Sequence, residues 1–204
     1  MSTAEMVREQ IAAAPSRGFI AAAELSGTRR AVECELSRLA ADGDVLRVRK
    51  GLYWKGPKTR LGIAPPRPAE TALEVAGPGA GLAEVAAAHL LRLTTQVPSV
   101  AVVAVPGRVP TPVAGARFVS RSIERRIAGL LTVEVALLEV LRGGPALIEK
   151  PWSDVADTAE RLAAAGEVRL GVLAAVVADE HHVATRERWT ELVTTLSASG
   201  DAPW

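Results

Sequence analysis

The stretch from Ser26 to Arg60 limits what this chain can fold into more than any other, because its hydrophobic period changes once, in the middle. Up to residue 41 the apolar positions Val32, Leu36 and Leu39 recur at helical spacing and make one stripe. Ser26 or Thr28 supplies a capping oxygen at the start of that helix. At about 100° per residue, Arg30, Cys34, Ser37 and Arg38 fall opposite the stripe. Asp42-Gly43 ends the helix, since glycine adopts the left-handed conformation that closes helices. Beyond it the period is two. In Val45-Leu46-Arg47-Val48-Arg49, Leu46 and Val48 point one way and Val45, Arg47 and Arg49 the other. Lys50-Gly51 is a hairpin tip, and Leu52-Tyr53-Trp54-Lys55 the return strand.

Two shorter segments precede this unit. Residues 3–14 place Met6, Val7 and Ile11 on one face of a first helix, which Pro15-Ser16-Arg17-Gly18 breaks. Phe19-Ile20 is an apolar link, Ala21 to Leu25 a short second helix, and Ser26-Gly27 a turn. Helix, helix, helix, hairpin is the order of a winged helix-turn-helix. That geometry suits duplex DNA, with a helix in the major groove and a hairpin along the phosphates or in the minor groove. Charge is distributed to match. Net charge is only +1, yet Ser26–Arg60 holds nine Lys or Arg against four Asp or Glu, so the remainder is acidic. The candidate contacts are Thr28, Arg29, Arg30, Ser37 and Arg38 on the helix, and Arg47, Arg49, Lys50 and Lys55 on the hairpin.

The expected fold class is α+β: a winged helix-turn-helix over residues 1–56, a linker over 57–69, and a C-terminal α/β domain with a mostly helical tail over 70–204. The linker reading rests on four prolines and scattered cations in GPKTRLGIAPPRPAE; Lys58 and Arg60 either continue the DNA contact or are solvated. Leu82 to Leu93 reads as an amphipathic helix, and Ser99 to Val105 as a buried strand. Val113 to Ser120 is that strand's partner, across a Pro/Gly turn at 106–112. Helices are expected at about 132–142, 153–165, 168–179 and 184–198.

Chemistry is sparse. GPGAG (77–81) lacks the GK[ST] ending of a phosphate loop and reads as a loop between helices. Adjacent His181 and His182 diverge on a helix and cannot easily share an ion, so no metal site is expected; His89 reads as a packed residue. The row Asp154, Asp157, Glu160 reads as a solvated helix face. No kinase catalytic loop, Gly-rich nucleotide loop, nucleophile constellation or RNP-type aromatic pattern is visible, so no catalytic residue and no cofactor are assigned. The single cysteine, Cys34, lies between two glutamates and favours a reducing compartment. No stretch reads as a membrane span or signal peptide, so a cytoplasmic protein without a membrane partner is expected.

Two segments together resemble the AbiEi-type antitoxins of bacterial type IV toxin–antitoxin systems. LSRLAADGDVLRVRKGLYWK (36–55) is similar to that family's recognition helix and arginine-rich wing; AAHLLRLTTQVP (87–98) is similar to its helix running into a Leu-Thr-Thr-Gln-Val-Pro turn before a strand. The likeness covers about residues 1–140, and the helical tail is only loosely comparable. It implies a DNA-binding domain that represses its own operon at double-stranded operator DNA, and a C-terminal domain that neutralises a nucleotidyltransferase-like toxin. Arg38, Arg47, Arg49, Lys50 and Gly51 carry over by motif; Arg29 and Arg30 come from helix geometry. Glu33, Glu35, Asp42 and Asp44 dilute the positive field. The likeness also leaves a second route open, an atypical serine/threonine protein kinase that inactivates the toxin by phosphorylation. A third class, a pure protein-interaction module, would use the same helices to dock a partner.

Overall fold

A computed structural model describes residues 2–198. The fold is mixed α+β and divides between Arg67 and Pro68 into two compact units.

In the first unit, helix α1 (Thr3–Ala13) opens on a capping box: the Ser2 hydroxyl accepts from the Glu5 amide, and the Glu5 carboxylate accepts from the Ser2 amide. The expected link at Phe19-Ile20 is instead strand β1 (Gly18–Ala21). The expected second helix over 21–25 shrinks to one 3-10 turn, Ala22–Glu24, with no side-chain cap. A segment this short cannot repay the entropy of helix nucleation, and β1 takes its first residue. Helix α2 (Arg29–Ala41) buries Val32, Leu36 and Leu39 against Val7, Ile11, Ile20, Val45 and Tyr53. Gly43, at φ +72°, turns the chain out of it. Strands β2 (Leu46–Arg49) and β3 (Leu52–Lys55) follow, and the antiparallel sheet runs β1-β3-β2.

The hairpin carries an irregularity that strict alternation misses. Leu46 opposes Trp54 and Arg47 opposes Tyr53, but Arg49 opposes Leu52, so the ladder slips by one residue around Val48. Tyr53 and Leu52 are neighbours on β3 and face opposite sides of the sheet. Arg47 and Arg49 therefore do not share a face, though both are exposed.

The expected linker is also partly ordered. Strands β4 (Lys58–Thr59) and β5 (Gly62–Ile63) form a two-residue ladder, and the Trp54 indole N–H donates to the Ala64 carbonyl at 2.9 Å. Phe19 and Trp54 pack at 4.8 Å between ring centroids. Gly56 is needed here: a Cβ on it would lie 2.2 Å from the Trp54 indole nitrogen. Residues 57–67 thus belong to the first unit.

In the second unit, helix α3 (Pro68–Ala76) packs on one face of a sheet ordered β6-β7-β8, from strands β6 (Gly81–Leu82), β7 (Ala101–Pro106) and β8 (Ala116–Arg121). Val103 and Val105 join the cluster on the α3 side; Val102 and Ala104 join the larger helical core. β7 is buried on both faces, as its unbroken apolar run predicts. β8 does pair with β7, but in parallel, from Ala101↔Ala116 to Pro106↔Arg121. The expected tight turn is a crossover through residues 107–115 that returns without a helix. The helix expected over 82–93 contracts to α4 (Val85–Leu90), because Gly81 and Leu82 join the sheet. His89 on it is exposed rather than packed.

The remaining elements are α5 (Glu124–Ile127), α6 (Thr132–Gly143), a 3-10 turn (Gly144–Leu147), α7 (Asp154–Ala164), α8 (Leu170–Ala178) and α9 (Val183–Ala198). All four helices expected in the tail are present, within two residues at each end. Helix α6 is central: Leu137, Leu138 and Leu141 are fully buried, each contributing about 1.5–3 kcal/mol of apolar burial. Gly81 abuts α6 so closely that a Cβ would lie 2.5 Å from Val135. Among the described residues, no helix is long and apolar enough to cross a membrane.

Candidate functional site

The apolar stripe of α2 turns inward, so its opposite side is presented to solvent. Thr28, Arg29, Arg30, Cys34, Ser37 and Arg38 are all exposed. The helix begins without help: Thr28 is the N-cap but makes no side-chain capping bond, and no acidic residue lies in the first turn. Arg29 and Arg30 stand there instead, against the positive end of the helix dipole. The hairpin tip lies close by. The Ala22 amide donates to the Gly51 carbonyl at 2.9 Å, and Gly51 lines an open groove of about 380 Å³ with Ala22, Leu25, Gly27, Arg29 and Glu33. The first turn of α2 and Gly51 of the hairpin tip thus border one depression.

The nine candidate side chains separate by their partners. Arg30, Arg47, Arg49 and Lys50 are exposed and make no side-chain hydrogen bond or ion pair among the described residues. Arg29 is held by Glu33 at 3.0 Å, one helical turn on, and Ser37 donates its hydroxyl back to the Glu33 carbonyl at 2.7 Å. Arg38 pairs with Glu35 at 2.9 Å, and the same carboxylate takes Arg8 of α1 at 2.6 Å. The Arg8 hydrogen bond, aided by Arg38, keeps the Glu35 carboxyl below the usual carboxylate range. Arg8 carries no motif, and nothing in its local sequence marks it as joined to α2.

Lys55 must be withdrawn from the contact set. Its ammonium donates to the carbonyls of Ile11, Ala12 and Ala14 at 2.7–2.8 Å, closing the C-terminal end of α1. Lys58 pairs with Asp44 at 2.7 Å. Replacing Lys55 by Met should lower the stability of the first unit by about 1–2 kcal/mol, since three carbonyls lose a charged donor. Duplex affinity of the folded variant should be unchanged; denaturant titration beside a binding isotherm checks both.

In the second unit the Leu-Thr-Thr-Gln segment forms a clasp. Glu149 accepts from the Thr95 amide (2.7 Å), the Thr95 hydroxyl (2.8 Å) and the Gln96 side-chain amide (3.2 Å). These donors, the Thr95 amide first, pull the Glu149 carboxyl from its ordinary 4.5 down to about 2. A folded value below the unfolded one means a stabilising contribution that is complete above about 4.5 and fades as pH falls toward about 2. Carbon-13 titration of the carboxyl should show its midpoint near about 2, and Glu149→Gln should remove that segment of the acid-unfolding curve.

A buried ionic network in the same unit carries no local sequence pattern. Arg125 is fully buried and joins Glu139 (2.7 Å) to Glu180 (2.9 Å); Arg121 forks onto Glu139 and Arg142 reaches Glu180. Burial acts to raise the Glu139 carboxyl, but Arg121 and Arg125 outweigh it and hold it low. Glu134, also fully buried, accepts from the Leu131 and Arg169 amides and from the Arg169 guanidinium, fastening the start of α6 to the start of α8. His182 lies at the start of α9, where its Nδ1 and the Thr185 hydroxyl are 2.9 Å apart. Burial and the nearby Arg142 push its pKa down.

No family model matches the chain, and no curated relative does. Among solved structures it is similar to the crystal structure of the RV2827C protein from Mycobacterium tuberculosis. The identity is 18%, the match covers 98% of this chain and 78% of that one, and the TM-score is 0.45.

Proposed function

We propose that this chain is the antitoxin of a type IV toxin–antitoxin system, in which the first unit acts as a winged helix-turn-helix that binds operator DNA and represses its own operon. The second unit, on this reading, opposes a nucleotidyltransferase-like toxin. The observation that carries the DNA half is the set of exposed, unpartnered cations: Arg30 on α2, Arg47 and Arg49 on β2, and Lys50 at the tip. Guanidinium and ammonium groups left without acids on adjoining elements are free to neutralise phosphates. The uncapped start of α2, with two arginines against the helix dipole, favours an external anion at the same place. The toxin half rests on the two segments that resemble AbiEi-type antitoxins, at 36–55 and 87–98.

The unit departs from a standard helix-turn-helix in one respect, since a 3-10 turn stands where a second helix is expected. The order helix, strand, turn, helix, hairpin is otherwise compatible with a wing formed by β2 and β3. The test is retention of the protein's own promoter fragment against a scrambled duplex over a salt series. Preferential retention that falls steeply with salt is expected; no retention at low salt overturns the DNA half. Relief of growth arrest when the chain is co-expressed with the adjacent gene's product tests the toxin half.

A further inference from the structure

Strand β8 ends the sheet of the second unit, and no strand pairs with its outer edge among the described residues. In the parallel ladder with β7, the bonds from the Ala101 amide to Gly115 and from the Gly107 amide to Arg121 fix the phase. Arg117, Val119 and Arg121 therefore direct their backbone groups at β7, while Ala116, Phe118 and Ser120 direct theirs outward. The Ala116 amide is taken by the Val113 carbonyl, and the Ser120 carbonyl by the Arg121 guanidinium. That leaves the Ala116 carbonyl, both Phe118 groups and the Ser120 amide without partners among the described residues. Unpaired groups in this spacing are a template for one more strand.

The surroundings state what kind of strand. Arg117, exposed beside the start of β8, uses one guanidinium nitrogen on Glu84 at 2.7 Å and keeps its others free. Arg108, exposed and unpartnered, follows Gly107, which accepts the Ser120 hydroxyl at the far end of the strand. Cations thus flank the edge at both ends. Just past β8, Ile123, Ile127 and Leu131 recur every four residues and are 44%, 71% and 45% exposed. Branched apolar side chains left in water in series mark a contact surface.

We propose that the free edge of β8 binds an extended, acidic segment of a partner protein by strand addition, with Arg117 and Arg108 meeting its carboxylates. This surface is separate from the DNA-binding residues, so it stands or falls independently of the DNA reading. The probe is a fluorescent decapeptide of alternating Glu and Val, titrated into the full chain. Saturable binding is expected, weakened at least about tenfold when alternate peptide amides are N-methylated on the hydrogen-bonding side. Ser120→Pro deletes an outward donor and also the hydroxyl bond to Gly107, so Ser120→Ala, which loses the hydroxyl alone, is its control. The Pro variant should weaken binding by about the same factor relative to the Ala variant. Arg117→Glu should do likewise for the acidic peptide while improving binding of an alternating Lys and Val one. Equal affinity for the methylated peptide, or no binding at all, overturns the proposal. So does a dimer seen in sedimentation that Ser120→Pro dissolves, since the edge would then belong to a second copy.

Discussion

Replacing Arg125 by Met should destabilise the second unit by about 3–5 kcal/mol, because it removes one partner of a buried ionic network and strands the others. Arg125 has no exposed surface, and Glu139 and Glu180 are nearly as deep. Without the guanidinium, among the described residues Glu180 keeps only Arg142, and Glu139 keeps only Arg121. Two carboxylates in low dielectric would then each lose a charge-assisted bond that a thioether cannot replace. Arg125→Lys should fall between parent and Met, since an ammonium restores charge but not the fork that reaches two acids at once. Denaturant unfolding followed through Trp152 and Trp189, both in this unit, measures the effect. A loss below about 1 kcal/mol for the Met variant would show that the network adds nothing beyond the apolar core. One detail limits its worth even so. The Arg125 Nε is buried with no acceptor among the described residues, and a lone buried donor costs about 1–3 kcal/mol.

The second large effect concerns DNA. The double variant Arg47→Ala/Arg49→Ala should weaken operator binding by about 2–4 kcal/mol, if each contact is worth about 1–3. The slip at Val48 sharpens the experiment. Because the two arginines lie on opposite faces of the hairpin, a hairpin laid flat along one backbone would use only one of them. A hairpin inserted into a groove would use both. The salt dependence separates these cases: the slope should drop by about one unit for a single lost phosphate contact and by about two for both. Normal operator affinity in the double variant would remove the wing from the interface.

Much of this architecture was legible beforehand, and the reason differs by element. α2 and the hairpin announce themselves because a change of hydrophobic period is a local signal, and Asp42-Gly43 and Lys50-Gly51 mark both turns. The tail helices were legible for the same reason. β1 was not, because two apolar residues after a break carry no period, and only pairing with β3 makes them a strand. The direction of β8 was hidden too: a Pro/Gly-rich stretch looks like a turn whether the chain doubles back or crosses over. Lys55 misled because charge in sequence is not charge at a surface; three carbonyls at the end of α1 claim it. Arg125, Glu139 and Glu180 lie far apart in the chain with no local pattern that joins them, and only the fold brings them into one network.

Glu84 carries a further consequence. Its φ of 54° and ψ of −140° belong to a conformation that side-chain-bearing residues seldom hold, at a cost of about 1–3 kcal/mol. Glycine would sit there at ease, yet glycine would release Arg117, whose guanidinium the Glu84 carboxylate holds across the sheet. The backbone at this one residue is thus kept tense so that an arginine beside an open strand stays aimed, much as a bent spring keeps a latch in register.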